Sequence, residues 1–578
     1  MKKTALKALL IMTIISSVFL CVLLVMLVNQ GKGDGKTVSK LKEFQEQYEE
    51  RKSDSKTIAP TVYRDFSKIE NEEKRYDTVR HTGVYDRIEA LKRDGEYTKD
   101  APLVIYNPYG INALSVYVYF ETEAPVQVSY RINAQESGNP TFFAECYAAE
   151  QYSTVHEYLL LGLTANQNNR VSLVMKDAEG NSCVRSFYVL AGELFGTGKE
   201  KLSVGKGVSE EKLSEGLFAH FGNVTGDKEA IQLYDNDGIL RGELALLSGS
   251  GKRLLFAEDC MYYNISGTQF AAVDRFGRAV RVYSIEGYTI GEDYCLDEGQ
   301  KKLLVTASRN AEEGKTVSVN DVVLSVDLDS GDVKEVFDCG VLLREYKDIC
   351  KKNEEGVLEW LNLNSIQLLE EGSVLLGARE PSAVLKVKDI YGIPMLDYII
   401  GDSLLFDETG YEDKVLAKEE EFESFFGANT IACVKEEKMP SGVYSLYLYD
   451  NHIAGTKSRP DLDYSFIGTE LGSSLKKGTS SYFCRYLVNE TAGTWQLTER
   501  VPVDYSGYMG SAQVTKDGHL ITDTAGRFTY SEYDAERNLI RKYTAAGEDY
   551  LARVFKYDFK GFFFAGEVSR PAETTEIK

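Results

Sequence analysis

A strand-turn-strand unit with an acidic or polar turn returns six times in the chain. The turns lie at residues 234–238, 273–277, 326–331, 387–392, 488–493 and 533–538. Apolar and β-branched runs such as 302–307 precede them, as in strands bounded by turn residues. Sheets repeated around an axis produce such a period, so the repeat predicts a six-bladed β-propeller with insertions over residues 229–570. A pair of unrelated sandwiches is the alternative, and the regular return of the hairpin disfavours it.

A second, smaller β region precedes this repeat. Residues 115–120, 126–130 and 170–174 alternate as strands do and are separated by proline or glycine turns, which predicts a small antiparallel sandwich over residues 99–192. Residues 193–228 contain few apolar pairs and are predicted to be a linker, and residues 571–578 a tail. The fold class is therefore mainly β, and a chain of 578 residues requires more than one domain.

The amino terminus carries the signal of a membrane anchor. Lys2, Lys3 and Lys7 precede an uncharged run over residues 8–28, long enough to span a bilayer with its positive flank in the cytoplasm. The alternative is a cleaved signal peptide, but the run is longer than a usual signal core and no Ala-x-Ala site follows. A lipoprotein is disfavoured because large residues precede Cys21. We therefore expect a single-pass protein of the bacterial cell membrane with most of the chain outside the cytoplasm.

The anchor with its short cytoplasmic tip occupies residues 1–30 of this prediction. Residues 31–98 are polar and are predicted to form a partly helical stalk, with helical patterns at 41–48 and 85–91, the second of which could pack on the domain that follows. The stalk would hold the globular part of the chain away from the membrane.

Charge and cysteine content limit the partners and cofactors. A net charge of −23 repels phosphate backbones, which excludes nucleic acid as a partner. None of the nine cysteines forms a Cys-x-x-Cys motif, so we expect no metal site and no other cofactor. Eight cysteines lie outside the apolar run, and both disulfides and buried free thiols remain open for them.

Several motifs resemble the bacterial arylsulfate sulfotransferase family, which needs no nucleotide sulfate donor. The motifs follow the family order from about residue 100 onward and lie at 107–110, 113–115, 120–128, 161–166, 169–171, 360–366, 378–379, 428–430, 449–451, 458–460, 463–464, 510–513 and 517–518. The resemblance implies a six-bladed propeller that moves a sulfuryl group from a phenolic sulfate ester to a phenol through a sulfated histidine. It also implies a small phenolic or sulfated ligand and a homodimer.

The same resemblance shows that the family histidines are missing. Asn429 stands where the family has its nucleophile, Asn362 replaces the histidine of a His-x-Asn motif, and Glu380 replaces that of an Arg-His pair. Residues 291–293 read Gly-Glu-Asp where the family has His-His-Asp. A carboxamide nitrogen is not a useful nucleophile for sulfur, because its lone pair is delocalised. The five histidines of the chain are His81, His156, His220, His452 and His519, of which His452 is the candidate substitute.

Part of an anion site is retained in the sequence. Arg379 offers a rigid donor fork, and Asn362, Asn364 and Asn429 could complete a polar pocket for sulfate. The alternative for Arg379 is a simple ion pair with the adjacent Glu380. Three functions follow: a sulfotransferase of altered mechanism, an inactive propeller that binds an anionic, phenolic or saccharide ligand, and a cell-surface interaction platform.

Overall fold

The computed structural model describes residues 54–568, apart from 70, 135, 223–229, 312–316, 371, 435–438, 454, 463, 465–479 and 546–550. The predicted anchor at 8–28, the helical pattern at 41–48 and the tail at 571–578 lie outside these residues. Within the described part of the chain, no helix is both long and apolar enough to cross a membrane.

Six blades form the predicted propeller, and each of the six acidic or polar turns joins the third and fourth strands of one blade. Read from the central channel outward, the strands are: blade 1, Arg553–Tyr557, Leu217–Phe221, Ala230–Tyr234 and Leu240–Ala245; blade 2, Leu255–Ala257, Cys260–Asn264, Gln269–Asp274 and Ala279–Ser284; blade 3, Tyr288–Asp297, Lys302–Arg309, Val322–Asp327 and Val333–Asp338; blade 4, Leu363–Glu370, Ser373–Ala378, Ala383–Lys388 and Met395–Gly401; blade 5, Asn429–Val434, Val443–Asp450, Ser480–Asn489 and Thr494–Asp504; and blade 6, Ser511–Val514, Leu520–Thr524, Thr529–Tyr533 and Leu539–Thr544. A short strand, Ala417–Lys418, adds to the outer edge of blade 5.

The ring closes by exchanging strands between its two ends. The late strand Arg553–Tyr557 pairs antiparallel with the early strand Leu217–Phe221, and Ser203–Lys206 adds to the outer edge of blade 6. The range 193–228, expected as a linker, therefore holds two propeller strands. Its apolar residues Leu217, Phe218 and Phe221 are buried. A closed ring leaves fewer unpaired strand edges, which is the physical reason for this exchange.

The amino-terminal sandwich is built around one long strand, Ser115–Ala134, which belongs to two sheets. Its first half pairs with Leu103–Tyr106 and Ser153–Leu161, and its second half pairs with Phe142–Cys146 and Asn168–Lys176. The remaining strands of the two sheets are Asp54–Thr57, Val62–Tyr63, Ser182–Leu190 and Phe564–Val568. The carboxyl-terminal strand thus returns from the propeller to the sandwich, and one hydrophobic core runs through both domains.

Residues 54–98, expected as the last part of the stalk, pack onto the globular domains along their length and not only at the pattern 85–91. The helix Thr78–Asp94 covers the predicted pattern at 85–91, and Asp77 caps its first turn. His81 on this helix is buried and accepts a hydrogen bond from the Ala279 backbone N–H in blade 2. Tyr76 reaches blade 1 by donating to the Ala245 carbonyl at 2.5 Å. The side chains that pack this segment onto the domains are few and lie among many polar residues, so the sequence pattern did not indicate that the whole segment packs.

Short helices complete the described structure. The α-helices are Cys339–Leu342 and Arg344–Ile349, and the 3-10 helices are Asp65–Ser67, Glu72–Lys74, Ser403–Phe406, Glu412–Lys414 and Ala525–Arg527. All eight cysteines outside the apolar run are free thiols, which decides between the two alternatives left by the sequence.

Candidate functional site

The inner strands bring polar residues from four blades to one end of the central channel. Asn429 and Arg553 are the first residues of their inner strands, and Asn364 is the second residue of its strand. Inner strands run in one direction around a propeller, so their first residues meet at the same end. Asp293 joins them from within the longer inner strand Tyr288–Asp297. We call Asp293, Asn364, Asn429 and Arg553 the axial cluster.

Arg553 is the centre of the axial cluster. Its Nη2 donates to the Asn364 carbonyl oxygen and lies 3.4 Å from Asn429 Oδ1. Its Nη1 is 3.3 Å from Asp293 Oδ1, at an angle outside that of a hydrogen bond. The Arg553 side chain is only 4% exposed, so this guanidinium is a buried cation that ties blade 1 to blades 3, 4 and 5.

The two asparagines of the axial cluster differ in how many of their side-chain hydrogen-bonding groups already have a partner in the protein. The Asn364 side chain donates to the Ala428 carbonyl at 2.8 Å and accepts from Ser365 Oγ at 3.0 Å. Asn429 Oδ1 accepts from the Thr430 backbone N–H at 2.9 Å as well as from Arg553. Among the described residues, the Asn429 amide nitrogen has no acceptor. A ligand could therefore be held by Asn429, whereas Asn364 acts inside the protein.

A second polar group lies at the rim of blade 4, just before its inner strand and just after its second strand. It consists of Asn362 and Arg379, which we call the rim pair; the Arg379 backbone N–H lies 3.5 Å from the Asn362 carbonyl. Arg379 Nη1 donates to Glu380 Oε1 at 2.6 Å, so the ion pair considered as an alternative is present. The other Arg379 nitrogens have no acceptor in the described structure, and the side chain is 17% exposed.

Glu380 is not a substitute for a catalytic histidine. It is fully buried, and its Oε2 accepts from Thr456 Oγ1 at 3.0 Å and from the Lys457 backbone N–H at 2.6 Å. With Oε1 held by Arg379, both oxygens are occupied. Glu380 therefore fixes Arg379 and the segment around Thr456 and has no free oxygen for proton transfer.

Residues 291–293, where the resemblance implies a His-His-Asp motif in the family, also lie beside the channel axis. Asp293 Oδ2 accepts from the Ile366 backbone N–H at 3.1 Å, and Arg253 Nε lies 3.2 Å from Asp293 Oδ1. Glu292 forms an ion pair with Lys252 at 3.1 Å. Burial raises the pKa of Glu292, but the positive charges of Lys252 and Arg553 have the larger effect, so the pKa lies below its ordinary value. Lysine and arginine side chains thus outnumber acids at the axis, which favours an anion there.

A side chain at Gly291 would collide with its neighbours. A Cβ at this position would lie 2.7 Å from Thr306 Oγ1 and 2.8 Å from Asn320 Oδ1. Neither atom can recede freely, because Thr306 Oγ1 donates to the Asp293 carbonyl and Asn320 donates to Asn362. No larger side chain fits at residue 291 without moving these neighbours.

The opposite end of the channel has a different chemistry. A cavity of about 960 Å³ lies beyond the ends of the inner strands of blades 6, 1 and 2. Its wall includes five carboxylates, from Glu215, Glu258, Asp259, Asp517 and Asp558, and three lysines, Lys516, Lys556 and Lys560. Acidic groups outnumber basic ones in this wall, which makes it less favourable for an anionic ligand than the axial cluster. Among the described residues, the acidic group of Glu211, Asp534 and Glu536 has the spacing for a metal ion, and Asp534 and Glu536 lie at the outer hairpin of blade 6.

Comparison with protein families decides the identity of the two domains. The family model described as arylsulfotransferase (ASST) matches residues 203–554, more than half of the chain, and the arylsulfotransferase Ig-like domain matches residues 103–191. The chain belongs to the arylsulfotransferase family. This membership confirms the predicted resemblance and supports a function of the sulfotransferase type. No curated protein matches the chain.

Solved structures similar to this arylsulfotransferase are distant. The nidogen/laminin complex is 10% identical and covers 59% of this chain and 97% of its own, with a TM-score of 0.35. A putative 6-phosphogluconolactonase from Bacteroides uniformis is 9% identical over 74% of this chain and 97% of its own, with a TM-score of 0.31. BamB from Moraxella catarrhalis is 10% identical over 62% and 94%, with a TM-score of 0.29. TM-scores this low carry no functional argument.

None of the five histidines of this arylsulfotransferase lies on an inner strand. His81, His156 and His220 are buried outside the axis, and burial lowers their pKa values to about 4, 4 and 3. His519 pairs with Glu532 in blade 6 at 2.9 Å. His452, the candidate substitute, is 1% exposed and lies 3.3 Å from both Glu423 and Asp450. The candidate is therefore enclosed by carboxylates.

Of the predicted site residues, the structure brings Asn364 and Asn429 together and places Asn362 and Arg379 together at the rim. The sequence interpretation missed Arg553. A signal was present: Arg553 interrupts an apolar run, Leu551-Ala552-Arg553-Val554-Phe555, in the strand that closes the ring. A charge at a buried strand position generally has a partner or a function.

Proposed function

We propose that this arylsulfotransferase family member binds a small aryl sulfate or similar anion at the channel end that holds the axial cluster and the rim pair, without transferring the sulfuryl group through a histidine. The observation that supports this proposal is the state of Asn429. By the sequence resemblance this residue stands at the family nucleophile position; its oxygen accepts from Thr430 and Arg553, and its amide nitrogen has no acceptor among the described residues.

The surrounding donors support an acceptor-rich ligand. Arg379 retains free guanidinium nitrogens, and the Asn362 side chain, whose oxygen accepts from Asn320 at 3.2 Å, has its amide nitrogen free among the described residues. Guanidinium and amide donors are the groups that hold sulfate oxygens. The proposal includes a location outside the cytoplasm, with residues 8–28 as the membrane anchor, and leaves the homodimer as a prediction.

Binding and turnover of 4-nitrophenyl sulfate test this proposal. We expect the full-length chain in detergent micelles to bind 4-nitrophenyl sulfate by calorimetry and to release no 4-nitrophenol, with or without phenol as acceptor. A cut at residue 98 would remove the helix Thr78–Asp94, whose His81 bonds to blade 2 and whose Ile88 belongs to the shared core, so the full chain is the right material. Turnover by the unmodified protein, or no binding, would contradict the proposal.

The Asn429→His variant asks whether the sulfate pocket is retained. An imidazole at residue 429 restores a nucleophile: its nitrogen attacks sulfur, the bond from sulfur to the aryl oxygen breaks, and 4-nitrophenolate leaves with the electron pair. We expect release of about one equivalent per protein and slow turnover, because no histidine proton shuttle remains. Asn429→Gln is the matched control, since its carboxamide cannot attack; release by that variant would assign the chemistry to another group.

A further inference from the structure

The Asn429 carboxamide has only one orientation that its surroundings allow. Its oxygen faces two N–H donors, the Thr430 backbone N–H at 2.9 Å and Arg553 Nη2 at 3.4 Å, and also the Thr430 hydroxyl at 3.5 Å. A flipped amide would place its own N–H groups against both donors, which is unfavourable for a residue only 7% exposed. The amide nitrogen therefore points away from Arg553, and none of the described residues accepts from it.

Arg553 is itself held in place, so it can impose this orientation. The Asn364 carbonyl accepts from its Nη2, and Asp293 supplies the opposite charge 3.3 Å from its Nη1. These partners come from blades 3 and 4, whereas Asn429 belongs to blade 5. A guanidinium is planar and has no acceptor atom, so it can present only donors to the Asn429 oxygen.

We propose that Arg553 is a positioning residue that makes Asn429 a donor-only contact and so selects an oxyanion over an isosteric group that carries N–H. This inference rests on the proposed anion-binding function and names the residue that sets its selectivity. A sulfate or sulfonate oxygen accepts from the Asn429 amide. A sulfonamide nitrogen at the same place would turn its own N–H toward the N–H of the Asn429 amide, and no hydrogen bond would form.

A matched ligand pair tests this selectivity: 4-nitrobenzenesulfonate, which has only acceptors, and 4-nitrobenzenesulfonamide, which has nearly the same shape but is uncharged and carries N–H donors. Neither can transfer a sulfuryl group through an aryl ester bond. We expect the full-length chain in micelles to bind the sulfonate at least about tenfold more tightly by calorimetry, the effect of one hydrogen bond to a charged group. If the unmodified chain binds neither ligand, the proposed function itself fails.

The Arg553→Gln variant should lose the preference and Arg553→Lys should retain most of it. Glutamine can accept as well as donate, so it can bind the Asn429 amide in a turned orientation that is then opposed only by Thr430, whereas lysine still presents only donors. We expect the affinity ratio to fall about tenfold in the first variant. An equal loss for both ligands, or an unchanged ratio in a folded Arg553→Gln variant, would show that Arg553 is merely structural and would overturn the inference.

The Asn429→Asp variant keeps the inference testable if Arg553→Gln does not fold. It leaves Arg553 in place and gives it a carboxylate partner, but removes the amide donors from the site. We expect it to lose sulfonate binding by at least tenfold while sulfonamide binding is retained or improved. Unchanged sulfonate binding would mean that Asn429 does not contact the ligand, and the inference would be wrong.

Discussion

The axial cluster and the rim pair lie at the same end of one channel and use the same kinds of side chain, yet they differ in how far the protein satisfies them. In the axial cluster, Arg553 is 4% exposed and meets Asp293, Asn364 and Asn429. In the rim pair, Arg379 is 17% exposed and meets one carboxylate. Buried polar groups need hydrogen-bond partners inside the protein, whereas partly exposed groups can bind water or a ligand instead. The axial cluster should therefore contribute more to stability than the rim pair, while Asn429 and Arg379 both contact the proposed ligand.

Removing Asp293 should break the axial cluster and have the largest effect. Asp293→Ala leaves Arg253 and Arg553 without their shared buried carboxylate, and loss of one partner of a buried ion pair costs about 3–5 kcal/mol. The free energy of unfolding in urea measures this loss. Asp329→Ala is the control, because that side chain is 70% exposed and should change little. An equal loss of unfolding free energy in the two variants would show that the buried Asp293 contributes no more to stability than the exposed Asp329.

The seam between blades 6 and 1 extends the comparison to a second buried charge network. Glu532 accepts from Lys556 at 2.8 Å and from the Ser214 backbone N–H at 2.6 Å. Burial raises the pKa of Glu532 from its ordinary value of 4.5. The charge of Lys556 and the hydrogen bonds that Glu532 accepts have the larger effect and lower this pKa to about 2. The stability from this lowered pKa is present above pH 4.5 and is lost as pH falls toward 2, by about 3 kcal/mol.

His519 at the same seam should act in the opposite direction. Its hydrogen bond to Glu532 raises the His519 pKa above 6.5. The stability from this raised pKa is present in full below pH 6.5 and is lost as pH rises through the raised value. Unfolding midpoints measured from pH 3 to 9 check both slopes. Glu532→Gln should remove both the acid loss and the alkaline loss, and His519→Asn only the alkaline loss; an unchanged pH profile in Glu532→Gln would contradict this account.

Changing the rim pair should affect binding with the smallest cost in stability. Arg379→Ala removes the partly exposed guanidinium, and we expect the affinity for 4-nitrophenyl sulfate to fall about tenfold, the worth of a hydrogen bond between charged groups. Arg379→Lys keeps the charge but not the fork and should lie between. A loss of stability as large as that of Asp293→Ala would show that Arg379 belongs to the protein interior after all.

The sequence predicted the repeated parts of this molecule better than its single contacts. The six acidic turns identified six blades because each turn closes the same outer hairpin, and turn chemistry is local. Asn364 and Asn429 could be located because they lie in motifs. Arg553 could not, because its partners are separated from it by 124 to 260 positions along the chain and only the closed ring brings them together. In residues 54–98, the sequence indicated packing only for the pattern at 85–91, because the other partners of this segment are also distant along the chain.

The return of the strand Phe564–Val568 to the sandwich makes the propeller an insertion within the amino-terminal domain. Chain segments on both sides of the propeller, Asp54–Thr57 and Phe564–Val568, end as strands of the sandwich sheets. A single backbone cut in a blade loop would therefore leave both fragments attached to the sandwich. Gel filtration of a nicked chain would show one particle, and only denaturant would separate the pieces.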